Sequence, residues 1–105
     1  MALSPEDRGM LEKIIDLQIQ NIPKNVAFTR DEKVKKGLMI NNDYDFVMGQ
    51  VFSSIISAFS SYYMDKLKTS LILPTPQQFQ DSLQEAVDVI IRRIAEVRKA
   101  IFDCG

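Results

Sequence analysis

The sequence predicts an all-α protein, a helical bundle built on a long antiparallel hairpin at about residues 43–70 and 76–103, with two shorter N-terminal helices. Three observations carry this reading. The run from Phe46 to Met64, FVMGQVFSSIISAFSSYYM, has no charged residue. At about 100° per residue it gathers Val47, Met48, Val51, Phe52, Ile55, Ile56, Phe59, Tyr62 and Tyr63 on one half of a helix. A proline turn, Pro74-Thr75-Pro76, follows that run. Beyond the turn, Leu83, Val87, Ile90, Ile94, Val97 and Ile101 recur at alternating steps of four and three, with Phe79 one step of four earlier. That is the seam of a coiled-coil-like helix.

Ser4-Pro5-Glu6-Asp7 reads as a helix start. A serine oxygen accepts orphan backbone N–H groups, proline takes the first helical position, and two acids face the positive end of the dipole. The apolar residues Met10, Leu11, Ile14, Ile15, Leu17, Ile19 and Ile22 spread over about 200° of this helix, which wedges it between two neighbours. Pro23 is expected to stop it, because a residue before proline is pushed out of the helical region. Residues 24–28 then form a connector, with Val26 and Phe28 plugging the edge of the core. Thr29-Arg30-Asp31-Glu32 fits a capping box, starting a short helix that runs to about Ile40 on a thin stripe of Val34, Leu38 and Met39. Asn42 caps the central helix, with Asp43 and Asp45 in its first turn. Thr75 caps the last helix, Pro76 opens it, Gln78 completes a capping box, and Pro74 staples onto Phe79.

With 105 residues the chain suits one domain, residues 1–105, able to bury roughly two-thirds of its unfolded surface. Its 13 basic and 14 acidic residues are spread evenly on both sides of the charge-free run. No segment is a basic arm for nucleic acid or membrane. The single cysteine, Cys104, precludes an intrachain disulfide, and the start MALSPEDRG lacks the basic and apolar regions of a signal peptide. A reducing, cytoplasmic setting is the expectation.

Two long helices of about 28 residues, roughly 40 Å each at 1.5 Å per residue, outreach the N-terminal helices. An open hairpin with an apolar seam completes its core by pairing with a second copy, so the sequence leads to a homodimer, a four-helix bundle of two-fold symmetry. The other half of the central helix is unusual. Gly49, Ser53, Ser57 and Ser61 recur every four residues, joined by Gln50, Ser54, Ser60 and Met64, where a surface helix would carry Lys and Glu. Small residues admit another backbone closely, which makes Gly49, Ser53, Ser57, Ser60 and Ser61 the candidate interface, against the simpler reading of plain solvent exposure. A membrane span fits poorly, since the run carries five serines, Gln50 and two tyrosines.

The chain holds no histidine, which removes the commonest acid–base residue and metal ligand. No Gly-rich phosphate loop exists, and Cys104 has neither His nor a second Cys to activate it. Asp81, Glu85 and Asp88 share one helix face and could gather Mg²⁺, yet that face is opposite the apolar seam. Basic residues cluster as Lys33, Lys35 and Lys36 and as Arg92, Arg93, Arg98 and Lys99, interleaved with acids. No catalytic set, metal site or cofactor follows from these patterns. The expectation is a protein that acts by homo-oligomerisation and protein–protein interaction, set against a helical DNA-binding regulator and a Mg²⁺-dependent nucleotide-processing enzyme.

Overall fold

The computed structural model describes residues 3–70 and 73–104. Among them the chain forms no strand and six helices: α1 Pro5–Gln20, α2 Ile22–Arg30, α3 Glu32–Gly37, α4 Asp43–Lys68, α5 Pro76–Arg92 and α6 Ile94–Asp103. The fold is an all-α bundle. The spine is α4, capped by Asn42, whose side chain accepts from the Asp45 N–H at 3.0 Å. Its buried residues are Val47, Val51, Ile55, Phe59 and Tyr63, each four after the last. A step of four on a helix of 3.6 residues per turn advances the stripe by about 40°. The stripe therefore winds around α4, and different partners meet it at its two ends.

The hairpin is read from those ends. Tyr63, late in α4, lies 5.7 Å from the Phe79 ring and 3.1 Å from the Ser82 hydroxyl, both early in α5. Tyr44, at the start of α4, stacks on Phe102 of α6 at 4.8 Å and accepts a hydrogen bond from Arg98. The N-terminal rod is antiparallel to α4 as well, since Asp7 reaches Tyr62 and Lys66 near the end of α4. The Ser4 cap, the Asn42 cap and the full Thr75–Gln78 capping box stand where the sequence places them. Residues 71 and 72 of the expected turn lie outside the described residues.

Four local expectations are corrected. Pro23 does not lead into a connector; it occupies the first turn of α2, where the N–H it lacks would have no helical partner anyway. Residues 24–28 are helical, Val26 is buried and Phe28 is exposed. Thr29 is not a cap. Its hydroxyl donates to the Asn25 carbonyl at 2.8 Å inside α2, and Asp31 caps α3 instead, accepting from the N–H groups of Lys33 and Val34. Next, α3 ends at Gly37, short of Ile40, and buries none of its residues; Leu38 and Met39 are exposed. Finally, the last helix divides at Arg93, and the buried face of α5 is Ser82, Ala86, Val89 and Ile90, with Leu83 and Val87 only half-buried. Ile90, Val97 and Ile101 of the seam are buried, whereas early in α5 the buried stripe lies one position before the seam, at Ser82 and Ala86.

A larger consequence concerns the core. Residues 5–30 equal α4's 26 residues in number, with only Asn21 between α1 and α2. This rod packs on α4 and on both halves of the returning rod. The chain thus covers its own hairpin, and the open seam that motivated a four-helix dimer is filled from within. The molecule measures 49 × 25 × 19 Å, and its radius of gyration of 15.8 Å exceeds the roughly 13 Å typical of this length.

Candidate interaction face and end cleft

With its buried stripe turned inward, α4 presents the opposite side outward. Gly49, Ser53, Ser57 and Ser61 are all exposed, and Ser60 is half-buried. Among the described residues nothing lies over Gly49: a Cβ built there would meet no atom within 4 Å. Along one edge runs the row Phe52, Ile56, Ser60 and Met64, with Phe52 36% and Met64 46% exposed. The row leads into an apolar groove of about 440 Å³ formed by Met64, Leu67, Leu73, Pro74 and Phe79. Gln80 joins this groove to a second depression on α5 beside Leu83 and Val87. The surface is continuous, and α4 carries no charge on it between Asp45 and Asp65.

Two polar clusters that periodicity does not reveal fix the rods around α4. Asp7 is buried, and its Oδ1 accepts from Lys66 Nζ at 2.7 Å and from the Tyr62 hydroxyl at 3.0 Å. Burial pushes the Asp7 carboxyl up, but hydrogen bonds from Lys66, Tyr62 and Ser4, with the Lys66 charge, outweigh it and hold the group below its ordinary range. Burial and the bond to Asp7 push the Tyr62 hydroxyl up, and the same bond raises Lys66. At the break between α5 and α6, Arg93 donates to Glu96 and Asp16 at 2.6 Å each and to the Glu12 carbonyl at 3.3 Å. Glu96 is the largest cause of the upward shift of Arg93 and is itself lowered by it. The partners of Asp7 are 55 and 59 residues away, so no local motif could have named them.

At the opposite end, a cleft of about 390 Å³ opens between α2, the α3–α4 link, the start of α4 and the end of α6. Val26, Val47 and Ile101 form its buried floor, and Arg30, Lys35 and Asp43 its charged rim. The acids that could have gathered Mg²⁺ point elsewhere. Asp81 accepts from Gln77, Asp88 from Gln84, and Glu85 from the Leu3 N–H. Among the described residues no three His, Cys, Asp or Glu side chains converge on a possible ion. The basic clusters are partly engaged as well, Lys35 by Asp43, Arg98 by Tyr44 and Arg93 by its acids. Cys104 is half-buried, its thiol directed at the Ala100 carbonyl. No family model, curated protein or solved structure matches this chain. Among the described residues no helix is long and apolar enough to cross a membrane, α4 included.

Proposed function

We propose that this protein works by association, pairing with a second copy through the outer face of α4 and the adjoining groove on α5, and so forming a platform for protein–protein interaction. The observation that carries the reading is an excess of exposed surface beside a face without charge. The chain exposes 6986 Å², about 1,000 Å² more than the roughly 6,000 Å² expected of a folded monomer of its mass. A standard interface removes about 800 Å² from each partner. In a two-fold contact the same patch meets itself, so its charge-free α4 part avoids like-charge repulsion. The small side chains at Ser53 and Ser57 let the two backbones come close, and Phe52, Met64 and Leu73 supply apolar area at the margin. A reducing, cytoplasmic setting suits a chain whose only thiol is Cys104.

The test is light scattering across a size-exclusion peak. The wild-type chain is expected at twice its own mass at tens of micromolar, and Ser57→Lys at the mass of one chain with unchanged helix content. Leu17→Lys, on the exposed side of α1, should leave the dimer intact. A wild-type protein that elutes as a monomer throughout, or a Ser57→Lys variant that stays dimeric, would overturn the proposal.

A further inference from the structure

The end cleft is built from chemistry that the dimer face does not use. Its floor, Val26, Val47 and Ile101, is at most 5% exposed, and one wall is the Tyr44–Phe102 stack, 17° from parallel. Its volume of about 390 Å³ falls in the range of small-molecule sites. At about 30 Å³ per water in the liquid, that is the volume of roughly a dozen waters. The rim is electrostatically incomplete. Lys35 Nζ lies 3.0 and 3.1 Å from the two Asp43 oxygens, and Arg30 Nε is 3.8 Å from the same carboxylate. Among the residues that line the cleft two cations share one anion, so the lining keeps one positive charge beside an apolar floor.

We infer that this cleft binds a small organic monoanion, a carboxylate with a flat apolar body, its charge between Arg30 and Lys35 and its ring over Val26 and Ile101 beside Phe102. A monoanion balances the rim. A phosphate dianion would leave uncompensated negative charge next to Asp43, and a neutral ligand would leave the extra cation unmatched. Arg30 is tethered at this end of the molecule by donating through Nη1 to the Cys104 carbonyl at 3.2 Å.

The experiment is a titration of the ¹⁵N-labelled full chain, followed by amide shifts, with three probes: indole-3-acetate, its neutral amide and phenyl phosphate. Indole-3-acetate should shift amides of residues 26–47 and 101–104 in a saturable way, and bind at least tenfold more tightly than the amide or the phosphate. Lys35→Gln and Arg30→Gln should each weaken it at least tenfold, while circular dichroism reports unchanged helix content. Because Lys35 also braces the α3–α4 link, Phe102→Ala, at an exposed ring, gives an independent readout with an expected fivefold loss. Equal binding of acid and amide, tighter binding of phenyl phosphate, shifts scattered over the molecule, or full affinity in Arg30→Gln would overturn the assignment.

Discussion

Asp7 shows how much one buried carboxylate can govern. It sits in the first turn of α1, where a sequence reader sees an acid facing the helix dipole, and yet its main partners are Tyr62 and Lys66 on α4. Because its folded pKa lies below the ordinary 3.8, the stability it contributes is fully present above that value and is lost as pH falls through the lower, folded one. Lys66, raised above 10.5, keeps its share below that value and loses it at higher pH still. Asp7→Asn should therefore cost about 2 kcal/mol in urea unfolding at pH 7. The penalty should stay flat from about pH 5 to 9 and shrink as the wild type itself loses the charge below about pH 4. Met39 behaves in the opposite sense. Its φ of 55° is left-handed, and its N–H and that of Ile40 bond back to the Lys36 and Lys35 carbonyls, a Schellman ending with methionine where glycine is usual. With Met39 79% exposed, Met39→Gly gives up no packing and should raise stability by about 1 kcal/mol, read from the urea midpoint. Neither feature was legible, since the first depends on distant pairing and the second puts a methionine where glycine is the usual signal.

At the scale of elements, capping chemistry was the most legible part of the sequence. Ser4, Asn42 and Thr75 each start the helix they were read to start, because a cap is decided by three or four neighbouring residues. The misreadings have physical causes of the same local kind. Pro23 can end one helix or begin the next, and only packing of Ile22 and Val26 on the core selects the second. Arg92-Arg93-Ile94 contains neither Gly nor Pro, so nothing local announces the break. Across the break the Arg93 side chain reaches α1. Removing it in Arg93→Ala should cost about 1 kcal/mol, modest because its carboxylate partners are largely exposed. Arg93→Lys should recover less than half of that in urea unfolding, because an ammonium cannot span Glu96 and Asp16 with a planar fork.

For the whole molecule, the all-α class and the α4 hairpin could be read from periodicity, whereas the third rod could not. Once residues 24–28 are helical, α1 and α2 together reach the length of α4, and the hairpin needs no outside helix to close it. The charge-free row on α4 is visible in the sequence, but whether anything covers it is a property of topology, which periodicity does not contain. If two copies meet there, stability becomes a matter of mass action, and the thermal midpoint should rise by several degrees between 5 and 500 μM chain, a dependence that Ser57→Lys should abolish. The geometry of that meeting follows from the spacing of Gly49, Ser53, Ser57 and Ser61. A row at steps of four is inclined by about 26° to its helix axis, and two such rows interlock only when the axes cross at about 50°. The paired molecules would then form an X, not a parallel sheaf, touching most closely where Ser53 and Ser57 cross and splaying apart toward Gly49 and Ser61. A lysine at Ser57 would sit at the hub of that cross, while the same change at Ser61 would fall on an open arm and be felt far less.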